Sequence, residues 1–134
     1  MEKRFKREIS SLDRIFTFAE NFAEREKLDG GIAFSLSLVL EEIFTNMVKY
    51  NSRSREDILI TLKKRDRKLT VTLTDRDAQP FDITKAKELD VRQPLESRKE
   101  GGLGIHLVKK MVDGLMYEHN GRESKITLIK NLEN

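Results

Sequence analysis

The chain has 134 residues and no Cys, a length that fits one domain (residues 1–134) with a core of its own and leaves no place for a disulfide framework, a zinc finger or a thiol nucleophile. Its 26 basic residues nearly balance 23 acidic ones for a net charge of +3, and they are dispersed rather than gathered with aromatics, which argues against nucleic acid as a partner. The charged start lacks the apolar stretch of an export signal, and the apolar run Ile32–Leu40 carries Ser35 and Ser37 before it meets Glu41 and Glu42, so the expectation is a cytoplasmic protein with no membrane partner.

Phe5 to Ile9 alternates apolar and charged residues weakly, in the manner of a short edge strand. From Ser11 the period becomes helical through Leu12, Ile15, Phe16, Ala19, Phe22 and Ala23, and Asp29-Gly30-Gly31 forms the turn behind that helix. A second helix, Ile32 to Tyr50, buries Leu36, Leu40, Ile43 and Met47 and carries Glu42, Asn46 and Lys49 on another face, and Asn51 to Ser54 ends it. Ile58, Ile60 and Leu62, then Leu69, Val71 and Leu73, alternate at period two and read as a hairpin around the charged turn Lys63–Lys68. Between Asp75 and Gly102 the pattern dissolves into charge, with Pro80 and Pro94 barring a continuous helix. Helical spacing returns from Leu103 to Gly114, and Leu115–Glu118 with Lys125–Lys130 close the chain as two strands around Asn120-Gly121. Strands paired by hairpins and interrupted by helices predict an α+β fold, a two-layer sandwich with helices packed on one face of a mainly antiparallel or mixed sheet.

Three constellations carry chemistry. Glu42, Asn46 and Lys49 are spaced four and three apart, which stacks a carboxylate, an amide and an ammonium on one helical face. An amide oxygen can ligate magnesium, a carboxylate one turn away can take a proton from an attacking hydroxyl, and a lysine can meet phosphate charge. The same spacing also occurs on ordinary solvated helix faces. Gly101-Gly102-Leu103-Gly104 opens a helix, where backbone amides and the helix dipole favour phosphate, although a glycine-rich start is equally a flexible loop end. Asp75 and Asp77 follow a strand, and a buried Asp there can accept the exocyclic amine of adenine; a turn rich in Asp and Pro is the alternative. His106 and His119 read as surface residues, Arg98 and Lys99 as a solvated approach to the glycines, and Ser52, Ser54 and Ser97 have no base at a readable spacing.

In this order, Glu42-x-x-x-Asn46, Asp75 to Phe81 and Gly-Gly-Leu-Gly-Ile105 resemble the N box and the two glycine boxes of the ATPase fold shared by gyrase, histidine kinases and mismatch-repair proteins (the Bergerat-type ATP-binding fold). Thr45-Asn46, Pro80-Phe81-Asp82, Gly102 to Val108 and Met111-Val-Asp113 are similar, within it, to the anti-sigma-factor serine kinases, over roughly residues 5 to 131.

The resemblance implies ATP and magnesium as cofactors, with Asn46 holding the metal and Glu42 acting as base. It puts the adenine-reading Asp at Asp75, the phosphate-bordering glycines at Gly101, Gly102 and Gly104, and a strand Thr beside adenine at Thr127. It further implies a kinase that phosphorylates a small antagonist protein, sequesters a sigma factor and forms a homodimer. One departure stands out: Asp77 occupies the place where the family has Gly, and Phe81 lies one residue too far along, so Asp75 and Asp77 remain alternatives for the adenine contact.

Overall fold

The computed structural model describes residues 1–50, 54–76 and 102–132. The chain opens with strand β1 (Glu2–Phe5), which ends earlier than the alternation of the sequence implies. The reason is local: after Phe5 the backbone turns into a single 3₁₀ turn at Ile9–Ser11, and the buried Ser11 hydroxyl donates to the Lys6 carbonyl at 2.7 Å. Phe5 is the one residue of β1 that reaches the core, where its ring meets Phe18 edge-on at 5.5 Å.

Helix α1 (Leu12–Arg25) buries Ile15, Phe18, Ala19, Phe22 and Ala23. These residues share one stripe at helical spacing, so Phe18 rather than Phe16 takes the inward place. The helix ends in a Schellman arrangement: Leu28 donates to the Ala23 carbonyl, Lys27 to that of Glu24, and Lys27 adopts φ of 55° in the position usually given to Gly.

Helix α2 (Gly30–Tyr50) begins two residues before Ile32, because Asp29 caps it: Asp29 Oδ1 accepts the backbone N–H of Ile32 at 2.9 Å. By length and composition alone α2 could cross a membrane. In this fold that apolarity is accounted for by Leu36, Val39, Leu40, Ile43, Phe44 and Met47, all buried in the core shared with α1 and the sheet.

Strands β2 (Ile58–Arg65) and β3 (Lys68–Asp75) form the expected hairpin, helix α3 spans Gly102–Met111, and β4 (Gly114–Asn120) and β5 (Glu123–Asn131) form the second hairpin. The five strands lie in the order β1-β2-β3-β5-β4 with every neighbouring pair antiparallel. Ile58, Ile60 and Leu62, Leu69, Val71 and Leu73, and Ile126 and Leu128 are buried together with the helices, while Thr61, Thr72 and Thr127 alternate onto the opposite, half-exposed face. The helices therefore cover one face, as the sequence predicts.

Ile32, Leu36 and Val39 of α2 share a groove with Leu69, Val71 and Met111, so α2 starts over the Lys68 end of β3. It then runs toward the opposite end of the sheet, where Asp75 lies. The connector from Asp77 to Gly101, and the break placed at Asn51, lie outside the described residues.

Candidate functional site

The second half of α2 ends beside the last residue of β3, since one guanidinium, that of Arg7, bonds both the Met47 carbonyl and the Asp75 carboxylate. Asn46, although polar, is buried to 5% exposure. Its Nδ2 donates to the Glu42 carbonyl one turn back at 2.6 Å, so the amide is held by its nitrogen end and its oxygen is left as the acceptor end. Glu42 is half-buried. Its own burial, and then the charge of Glu41, push its carboxyl above the ordinary carboxylate value, with Lys49 pulling the other way. Lys49 lies exposed in the last turn of α2.

Asp75 is buried at the end of β3 and faces the helices, like Val71 and Leu73 on the same strand. A residue that no motif announces, Arg7, grips it: Nη2 bonds Oδ1, and Nη1 lies 3.3 Å from Oδ2. The same guanidinium donates to the carbonyls of Met47 and Glu56, each at 3.2 Å. The approach to β2 is tied in as well, since the buried Ser54 hydroxyl bridges the Arg76 carbonyl and the Glu56 N–H.

Strand register sets what else stands beside Asp75. Its partner on β5 is Ser124, whose partner on β4 is His119. Ser124 is buried, and its hydroxyl lies 2.8 Å from His119 Nδ1 and 3.3 Å from the Tyr117 hydroxyl. His119 is thus half-buried and hydrogen-bonded rather than a plain surface residue. Thr127, expected beside adenine, pairs with Thr72 and Met116 on the other face of the sheet, so the structure does not bring it to Asp75. The only sequence signal for Ser124 was its place after the Asn120-Gly121 turn.

Gly102, Leu103 and Gly104 form the first turn of α3, which is where an anion-binding start has to lie. His106 is half-buried further along that helix. Gly101 and Asp77 lie outside the described residues, so Asp75 is the acidic candidate whose surroundings are visible. Among the described residues no group of three or more His, Cys, Asp and Glu side chains could hold a metal by itself. The donors present, one buried amide with a carboxyl one turn away, fit magnesium that takes its remaining ligands from phosphate and water.

The family model described as the histidine kinase-like ATPase domain matches residues 5–130. The chain is 24% identical over 111 residues to the serine/threonine-protein kinase BtrW of Bordetella bronchiseptica, covering 81% of this chain and 78% of that protein. Its fold superposes on a chain of the SiaB-SiaC complex from Pseudomonas aeruginosa with a TM-score of 0.66 at 16% identity, covering 97% of this chain and 87% of that one. The histidine kinase AdeS of Acinetobacter baumannii gives a TM-score of 0.55 at 15% identity, over 100% of this chain and 68% of that one.

Proposed function

The chain belongs to the histidine kinase-like ATPase domain family, and from that premise we propose that it is a cytoplasmic, ATP-dependent serine/threonine protein kinase of the anti-sigma-factor type. It phosphorylates a small antagonist protein, alternately sequesters a sigma factor, and works as a homodimer.

The observation that carries this reading is the pairing, one turn apart on α2, of a Glu42 carboxyl lifted above its ordinary value with a buried Asn46 amide held by its nitrogen. A raised carboxyl is suited to accept a proton at neutral pH. Asn46 Oδ1 serves as the metal ligand, and magnesium, when bound, supplies neutralising charge at the phosphates. Asp75 accepts the exocyclic amine of adenine, the glycine start of α3 presents backbone amides to the phosphates, and Lys49 contributes positive charge nearby. The seryl or threonyl oxygen attacks the terminal phosphorus, the bond to the ADP oxygen breaks, and the hydroxyl proton passes to Glu42. Little more than positioning and charge is needed for such a transfer. The relative named a serine/threonine kinase supports the choice of acceptor, and the neighbour solved as a complex supports a protein partner.

A second reading, a docking module that binds partners without phosphorylating them, draws on the engagement of Asp75 by Arg7. Radiolabel transfer from ATP to a purified antagonist-type protein carrying a Ser or Thr acceptor separates the two. Glu42→Gln should abolish transfer while magnesium-ATP binding stays within about threefold, since a general base contributes roughly 10²–10⁴-fold to rate. Asn46→Ala should lose binding and transfer together. Wild-type protein that binds ATP and never labels the partner would leave the docking reading in place.

A further inference from the structure

Arg7 belongs to no motif, yet its side chain is as enclosed as the carboxylate it faces, each 4% exposed. A guanidinium is kept out of water only where its donors are used. Here they are used on three separate segments: the Asp75 carboxylate at the end of β3, the Met47 carbonyl in α2, and the Glu56 carbonyl ahead of β2. The two carbonyl bonds fix the plane of the guanidinium independently of Asp75. The fork then fixes the plane of the carboxylate, because its two N–H groups meet two different oxygens.

A carboxylate has about four lone-pair sites, and Arg7 takes one on each oxygen, so each oxygen keeps an acceptor site. The pair therefore leaves Asp75 able to accept a further hydrogen bond while removing its freedom to turn. Met47, which anchors the guanidinium, is also the residue next to Asn46. The base-reading and metal-binding ends of the site thus share one support.

We propose that Arg7 is a positioning residue for nucleotide recognition: its fork holds Asp75 in the orientation in which a remaining lone pair accepts the 6-amino group of a purine. The inference rests on the reading of Asp75 as the adenine contact. It makes the N-terminal segment, far from the motifs in sequence, a determinant of base selectivity.

The test compares ATP with the triphosphate of purine riboside, which lacks only the 6-amino group, by calorimetric titration of the full chain. Wild type should prefer ATP. Arg7→Lys keeps the charge but cannot bond both carboxylate oxygens and both carbonyls in one plane. It should lower the preference for ATP about tenfold, the worth of one well-made hydrogen bond, with affinity for the analogue unchanged within about twofold. Circular dichroism and thermal melting establish how much of the variant is folded; if it is partly unfolded, the titrations are repeated at lower temperature and both affinities are referred to the folded fraction, which leaves their ratio readable. A general structural role would weaken both ligands alike and leave the ratio in place, which overturns the proposal. Tighter ATP binding by the variant also overturns it, because Arg7 would then compete with the base for Asp75. A wild type that fails to distinguish the two ligands removes the adenine reading of Asp75 itself, and it does so before any variant is made.

Discussion

Replacing Asp75 by Asn should cost about 3–5 kcal/mol of folding stability, because removing one partner of an enclosed ion pair strands the other charge. The full range applies here, since both side chains are 4% exposed and solvent does not screen the pair. Asn preserves the shape, but its NH₂ turns one acceptor into a donor aimed at a guanidinium N–H. Arg7→Met should cost a similar amount, as it strands the carboxylate and withdraws a donor from the Met47 and Glu56 carbonyls. The double variant Arg7→Met/Asp75→Asn removes both charges, so it should cost less than the sum of the singles, with a coupling of about 3 kcal/mol. Urea unfolding followed by circular dichroism reads this directly. With m-values of roughly 1–3 kcal/mol/M, each single variant should lose on the order of 2 M in midpoint. Against a typical total stability of about 5–15 kcal/mol the loss is large, so ATP binding by these variants has to be referred to the folded fraction. A cost below about 1 kcal/mol for Asp75→Asn is what exposed pairs show. That result, or singles that simply add, would mean the guanidinium is not enclosed and the arrangement at this end of the sheet is wrong.

Lys27→Gly should stabilise the protein by about 1 kcal/mol, the approximate cost of a left-handed residue carrying a Cβ, and raise the melting temperature by a few degrees; an unchanged or lower melting temperature would contradict the Schellman geometry. The raised Glu42 carboxyl makes stability fall as pH rises, because the folded state holds the proton that the unfolded chain releases. Well below its ordinary value of 4.5 the group is protonated in both states and contributes nothing, and the deficit is complete once pH exceeds the raised folded value. The stability advantage of Glu42→Gln over wild type should accordingly be larger at about pH 7 than at about pH 4; an advantage that shrinks over that interval would show that Glu42 is not desolvated.

Elements whose cause is local were legible in the sequence. The hairpin Ile58–Arg65 and Lys68–Asp75 follows from alternation alone, and α1 and α2 follow from helical spacing. Errors arose where a single side chain decides a boundary. Asp29 caps α2 rather than merely filling a turn, so the helix begins at Gly30, and the Ser11 hydroxyl bond belongs to the bend that ends β1 at Phe5. Glu42 and Asn46 were readable because their relation is helical and lies within four residues. Arg7 was not readable: its partner is 68 positions away, and an Arg among the charges of the N-terminal segment has no periodic signature until the sheet brings Phe5 beside Ile58 and Ile58 beside Asp75.

Ser124 and Thr127 lie on opposite faces of β5, and the registers on either edge of that strand decide what each stands beside. Asn120-Gly121 is a strong hairpin signal whose usual form places both residues at the centre of a type I′ turn. In the structure Asn120 pairs with Glu123, so the central residues are Gly121 and Arg122, and only Gly121 has positive φ, the pattern of a II′ turn with Gly first. That pairing makes His119 face Ser124, Tyr117 face Ile126 and Leu115 face Leu128. Because side chains alternate along a strand, Ser124 shares the helix-covered face with Ile126 and Leu128, and Thr127, an odd number of residues away, cannot. On its other edge β5 pairs with β3 in a register of its own, which sets Asp75 opposite Ser124. The β3–β5 register thereby selects which hydroxyl stands beside the carboxylate, and the Gly121-Arg122 loop, by setting β4 against β5, brings His119 and Tyr117 to support that hydroxyl.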